Sequence, residues 1–165
     1  MEQAMGEIDT MKQASFRIVL YQPEMPANTG NIGRLCVGCQ AELHIIKPMR
    51  FLITDKLVKR AGLDYWPKLS LFLHDSLQDF LDKYPDNNIY YCTTKTERKY
   101  SEQNYQQGDI FIFGPESRGI PEPILEKYSS RNITIPMSRD IRSINLANSV
   151  GIILYEAWRQ IDFSL

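Results

Sequence analysis

Short apolar runs rich in strand-forming residues alternate with stretches whose apolar residues recur at helical spacing, and this alternation constrains the fold more than any other feature. The runs are Arg17–Tyr21, Leu43–Ile46, Ile89–Thr93, Ile110–Phe113 and Ile133–Ile135, with a further short strand expected over Leu69–Phe72. Between the first two, Pro23, Pro26, Asn28 and Gly30 mark a turn. Ile32, Leu35, Cys36 and Cys39 then fall at i, i+3, i+4 and i+7, one face of a helix. A helix is also expected over Thr54–Ala61, stopped by Gly62. Leu77, Phe80, Leu81 and Tyr84 predict another, capped by Asp75 or Ser76. Pro121–Tyr128 suits a short helix with proline in its first turn, and Leu146–Gln160 predicts the last one. Strands alternating with helices pair in parallel, so the fold class is α/β, a mostly parallel sheet flanked by helices. Ligands of such sheets bind beyond the carboxyl ends of the strands, at a switch point.

At 165 residues the chain suits one domain, read here as residues 16–165 after a polar, flexible N-terminal extension over 1–15. Its 19 basic and 20 acidic side chains give a net charge of −1, which excludes a protein that coats nucleic acid by bulk positive charge. The charge is segregated, however. Lys47, Arg50, Lys56, Lys59 and Arg60 stand against Asp55 alone, Lys95, Arg98 and Lys99 against Glu97, and Arg131, Arg139 and Arg142 follow. That pattern fits either an RNA contact on one face or scattered solvated charge. No apolar run is long enough to span a membrane, and the acidic, polar start is no signal peptide, so the expected location is the cytoplasm. Cys36 and Cys39 have metal-like spacing but lack a second Cys/His pair, and they sit on the apolar helical face, so core packing and no metal are expected. His44 and His74 have no nucleophile partner; His44 reads as structural and His74 as a helix cap.

Three strand-end segments are rich in polar and glycine residues: 22–34, 114–121 and 136–145. The first ends in a helix start with Arg34, a natural phosphate site. The second, GPESRGIP, brackets Glu116, Ser117 and Arg118 with glycines and prolines, and a side chain at Gly114 would fill space a ligand needs. The third presents Arg139, Arg142, Ser143 and Asn145 just before an apolar helix. Each segment alone also reads as a capped helix or tight connection, with Ser143 or Asn145 as N-cap and Glu116 as a dipole partner of the helix that follows it. All three at one sheet edge point to a ligand site.

These segments carry a resemblance. N-x-G-N-x-x-R at 28–34, FGPESRGIP at 113–121 and IPMSRDIRSINLANSVGIILYEAWRQ at 135–160 resemble, in order, the three motifs of the SPOUT class of S-adenosylmethionine-dependent RNA methyltransferases. Within that class LYQPEMPANTGNIGRLC, LHIIKPM, RAGLDYW and YEAWRQ are similar to the minimal tRNA wobble-position 2′-O-methyltransferases, the TrmL (YibK) type. The resemblance implies a C-terminal trefoil knot and a homodimer to which the last helix, with Ile152, Ile153, Tyr155 and Trp158, contributes. It implies S-adenosyl-L-methionine held near Cys92 and Thr93, at Gly114, at Ile135 and Met137, and at Ser143. It implies a tRNA substrate, of the leucine isoacceptors, methylated on the ribose of a wobble cytidine or modified uridine. Arg34 is implied to handle the 2′-hydroxyl, with Asn28, Glu116, Ser143 and Asn145 shaping the site. Because arginine stays protonated, Arg34 is better suited to hold the neighbouring phosphate while the proton leaves to water or to that phosphate. The RNA contact is expected at Lys56, Lys59, Arg60, Lys95, Arg118 and Arg142. The alternatives are a 2′-O-methyltransferase of another tRNA position or of ribosomal RNA, and a knotted RNA-binding protein without transfer activity.

Overall fold

The computed structural model describes residues 13–54 and 64–164. The expected 54–61 helix beyond Thr54, with Lys56, Lys59 and Arg60, lies outside them, as do residues 1–12 of the extension. The strands are β1 (Arg17–Tyr21), β2 (Glu42–Ile46), β3 (Leu71–His74), β4 (Ile89–Cys92), β5 (Ile110–Phe113) and β6 (Asn132–Ile133). They form one sheet in the order β3-β2-β1-β5-β4-β6, with every described pair parallel. The helices among the described residues are α1 (Pro26–Cys39), α2 (Leu77–Lys83), α3 (Glu122–Lys127) and α4 (Leu146–Gln160).

Both faces of the sheet are covered, which is why its strands read as continuous apolar runs rather than as alternating ones. Alternation along β1 sends Ile18 and Leu20 to one face and Val19 to the other. On the first face they pack with Leu43, Ile45 and Phe111 against Ile32, Cys36 and Cys39 of α1 and Val150, Ile153 and Leu154 of α4. On the second, Val19, Ile46, Tyr91 and Ile112 meet Phe80 of α2 and Leu125 of α3. Each buried valine, leucine, isoleucine or phenylalanine here contributes about 1.5–3 kcal/mol by leaving water.

The packing begins before Phe16. Ala14 and Ser15 are buried, and Ser15 donates its N–H to the Gln40 carbonyl and its hydroxyl to that of Cys39. Several predicted boundaries differ by a residue at one or both ends, and β6 stops at Ile133 instead of Ile135; two larger differences have a clear cause. β3 lies two residues later than expected, because Trp66–Lys68 forms a 3-10 turn that takes up the approach. α1 starts at Pro26 instead of after Gly30, so Asn28 and Gly30 are helical. Proline is tolerated at a helix start, where its missing N–H is not needed. The predicted α4 boundaries match those observed.

His74 caps nothing. It ends β3 buried, its Nε2 2.9 Å from His44 Nδ1, while His44 Nε2 lies 3.0 Å from Glu42. Glu42 as acceptor makes His44 Nε2 the donor, so His74 Nε2 donates to His44 Nδ1. The cap of α2 is Ser76, which accepts from the Asp79 N–H.

A candidate cofactor and RNA site at the β1–β5 switch point

The connections after β1 and β5 leave toward opposite ends of the sheet: β1 leads to β2, whereas β5 leads across β4 to β6. A crevice opens where they diverge. It holds a cavity of about 450 Å³, a size suited to a cofactor. Its floor is apolar, formed by Cys92, Phe113, Ile133 and Ile153. Its walls are the three segments singled out in the sequence.

The walls are tied together by one polar chain. Glu116 Oε2 accepts from the Glu24 N–H at 2.8 Å, and Oε1 accepts from the Met25 N–H at 3.0 Å and from Asn28 Nδ2 at 3.3 Å. Asn28 is buried, and its Oδ1 accepts from Asn145 Nδ2 at 3.1 Å. Asn145 Oδ1 in turn accepts from the Asn148 N–H and so caps α4. Glu116 therefore serves the start of α1, not the helix that follows it in the chain. α1 has Met25 at its N-cap position, whose side chain caps no backbone N–H, and the carboxylate from the β5 loop supplies both the acceptor and the negative charge that a helix N-terminus favours. The loops are cross-tied the other way too. Glu24 accepts from the Ser117 N–H and hydroxyl, and those bonds hold its carboxyl below the usual range.

Every residue expected at the cofactor lines the cavity: Cys92, Thr93, Gly114, Ile135, Met137 and Ser143. So do Asn28, Glu116 and Asn145. Burial pushes the Cys92 thiol well up, so it stays protonated and serves as apolar floor. Lys95 and Arg118 stand at the same cavity; Lys95 pairs with Glu122, and Arg118 donates to Gln22. Arg142 is exposed beside Ser143 but does not line the cavity.

The expectation for Gly114 needs correcting. A Cβ there would lie 2.2 Å from the Gly119 carbonyl carbon and from the Ile120 nitrogen. The space belongs to the chain's own 114–120 loop, which closes on itself at this glycine, and not to a ligand. Arg34 also stands apart from the other site residues. It lies six positions after Asn28 on α1, which turns it to another face of the helix, and it is absent from the cavity wall. Its side chain is 60% exposed, over the Tyr65 ring and 3.9 Å from Asp64.

The sequence reading missed Glu24 and Met25, and it missed Ser149 and Ile153, which reach the cavity from α4. Ser149 and Ile153 are four apart, one helical turn, so the period of α4 together with Asn145 at its cap was the available signal. Glu24 carried none, since its partner is 93 residues distant. Cys36 and Cys39 are core residues whose thiols burial pushes up, Cys39 to about 11. Among the described residues no group of His, Cys, Asp and Glu is placed to hold a metal, and no helix is long and apolar enough to cross a membrane.

The comparisons agree with this geometry. Residues 15–155 match the model of the SpoU rRNA Methylase family. The chain belongs to that family. This SpoU-family chain is thus an enzyme of the methyltransferase class, and relatives cover nearly all of it. It is 44% identical over 150 residues to the tRNA (cytidine(34)-2'-O)-methyltransferase of Methylovorus glucosotrophus, covering 90% of this chain and 97% of that one. It is 46% identical over 147 residues to the enzyme of the same name from Escherichia coli, covering 88% and 94%. A solved structure described as giving structural insights into the 2-OH methylation of C/U34 on tRNA superposes with a TM-score of 0.84 at 42% identity, covering 90% and 97%. The SpoU methyltransferase AviRb from Streptomyces viridochromogenes, solved in complex with AdoMet, shares the fold at 20% identity, with a TM-score of 0.79 and coverage of 92% and 60%.

Proposed function

We propose that this SpoU-family enzyme methylates the ribose 2′-hydroxyl of the wobble nucleotide, a cytidine or modified uridine, in the anticodon of leucine tRNAs. The observation that carries the reading is the convergence of all three motif segments on one cavity, through the chain Glu116–Asn28–Asn145. The names of relatives at 44% and 46% identity support the substrate. An inactive RNA-binding protein would have no use for a cavity with this polar frame.

The residues present fit S-adenosylmethionine. The floor of Cys92, Phe113, Ile133 and Ile153 suits an apolar-faced ring, and the polar groups of Thr93, Ser143 and the loops around Gly114 and Ile135 suit its ribose and amino-acid ends. When bound, that cofactor supplies a methyl already activated on a sulfonium. The protein then needs to align a poor nucleophile and let its proton leave. Asn28 and Asn145, held by Glu116 and by α4, fix the cavity wall at that point. Arg34 remains charged and grips an RNA phosphate or the ribose edge, while the proton passes to water or phosphate. Lys95, Arg118 and Arg142 add phosphate contacts, and Lys56, Lys59 and Arg60 extend the footprint.

In this reading the enzyme is a homodimer. Ile152, Tyr155 and Phe163 are 36%, 43% and 50% exposed on and beside α4, an apolar face that a second copy would cover. Tyr155 lies 3.8 Å from where a Gly38 Cβ would stand, so this face adjoins α1 one turn beyond Arg34. A dimer formed there sets Arg34 beside the seam between subunits, where it can act on RNA at a cavity that it does not line in its own chain. In this reading the C-terminal segment threads through a loop as a trefoil knot, a reading supported by Ile135, Ser143 and Gly114 sharing one cavity. The enzyme works in the cytoplasm, where its substrate tRNA is.

Nucleoside mass spectrometry of tRNA from a strain lacking the gene tests the assignment. The wobble 2′-O-methyl group should vanish from leucine tRNAs, return with the wild-type gene and fail to return with Arg34→Ala. Methylation lost from ribosomal RNA or another tRNA position instead would refute the substrate.

A further inference from the structure

Arg34 is exposed, and a free arginine on a helix surface samples many rotamers. This one is held. Its guanidinium carbon lies 4.7 Å from the centroid of the Tyr65 ring. Tyr65 is only 8% exposed and donates its hydroxyl to the Gly30 carbonyl, one turn before Arg34 on the same helix. The turn that carries it is seated on α1 at Gly33. A Cβ there would stand 3.1 Å from Leu69 Cδ2 and 3.5 Å from the Trp66 and Tyr65 rings, so the 65–69 turn packs directly on the bare backbone of α1, and a larger residue would make the Leu69 methyl give way. Burial pushes the Tyr65 phenol up, which keeps it a neutral donor.

Asp64 is the other neighbour, but the two effects are unequal. Its carboxylate is 88% exposed and 3.9 Å away, a solvated pair of little worth. The buried ring is the stronger constraint, since its face is fixed and a guanidinium stacks on it with its N–H edges left free. Those edges are what bidentate phosphate recognition uses.

We propose that Tyr65 is a positioning residue for Arg34: a buried aromatic platform that fixes the guanidinium plane so that its free edges meet the RNA backbone. The proposal rests on Arg34 acting on RNA during transfer, as argued above. Asp64 occupies the guanidinium weakly and yields to a phosphate.

The test is single-turnover methyl transfer to tRNA from a strain lacking the gene, at saturating tRNA and S-adenosylmethionine. Tyr65→Leu, Tyr65→Phe, Arg34→Ala and the Tyr65→Leu/Arg34→Ala double variant are compared, with cofactor affinity measured separately by calorimetry. Tyr65→Leu should lose about 3- to 30-fold in rate, the worth of a cation–π contact. Tyr65→Phe should retain most of the rate, because the ring face remains. Adding Tyr65→Leu to Arg34→Ala should cost nothing further, and cofactor affinity should be equal in all four proteins. Additive losses, or weakened cofactor binding, would mean that Tyr65 serves the fold and not Arg34, and would overturn the proposal. So would full activity in Tyr65→Leu beside a crippled Arg34→Ala. Full activity in Arg34→Ala would instead defeat the role of Arg34 itself, and the platform with it.

Discussion

Removing the Glu116 carboxylate should loosen α1 and the cavity wall together. Glu116→Ala deletes the acceptor for the Glu24 and Met25 N–H groups and for Asn28 Nδ2. Losing a side-chain cap costs about 1 kcal/mol, and losing a negative charge at a helix start about 0.3–1 kcal/mol. Met25 is exposed, so water can reach its freed N–H, which keeps that cost at the low end. Asn28 is buried, and its amide is left with only the Met25 sulfur at 3.7 Å, adding about 1 kcal/mol. The sum is about 2–3 kcal/mol for Glu116→Ala and about 1 kcal/mol for Glu116→Gln, which keeps one oxygen and the shape. Urea unfolding at fixed protein concentration measures this as a lower midpoint with an unchanged slope. Transfer activity should fall in the same order. If Glu116→Ala unfolds within about 0.5 kcal/mol of wild type, the carboxylate is not the cap of α1 and the coupling argued here is wrong.

Acid should destabilise the protein through the buried histidine pair. Burial holds His74 down from 6.5 to about 4 and lowers His44 as well, so between these values the unfolded chain takes up protons that the folded one refuses. Stability is then full above about 6.5 and falls as pH drops toward 4; urea titrations at pH 7.5 and 4.5 should show it, and His74→Gln should flatten the slope. Gly114→Ala should cost stability even without cofactor, since its Cβ would strike backbone at 2.2 Å; an unchanged melting temperature would contradict that contact. Tyr155→Glu should yield monomers by light scattering and abolish transfer while the chain stays folded by circular dichroism; an active monomer would remove the dimer from the mechanism.

What the sequence revealed depended on whether the partners of a residue are local. α4 was legible because its cap, its period and its end are all written within 146–160 and the residue before them. The sheet was legible because a parallel strand buried on both faces leaves an unbroken apolar run, as in Ile110–Phe113. β3 was misplaced because His74 reads as polar, although a histidine that hydrogen-bonds to another in the next strand is as buried as a leucine. The start of α1 was hidden for a different reason. Local capping rules look for Ser, Thr, Asp or Asn just before the helix, and here the acceptor arrives from Glu116, 92 residues after Glu24.

That distant cap also explains why Asn28, Glu116 and Asn145 stand out as candidates in the chain while their joint arrangement at the cavity does not. Asn28, Glu116 and Asn145 each look like an ordinary turn or cap residue in its own segment. Joined, they make the first turn of α1 conditional on the β5 loop, and the β5 loop conditional on the start of α4. The bonds Glu116–Asn28 and Asn28–Asn145 cross between the segments, so the three walls of the cavity support one another. Arg34 follows the opposite logic. Its platform, Tyr65, belongs to none of the three segments and reaches α1 through a bare glycine face at Gly33. The cavity and the arginine are thereby built on separate faces of one helix. α1 is the rigid piece that relates them, and a change that rotates or frays its first turns should disturb both at once.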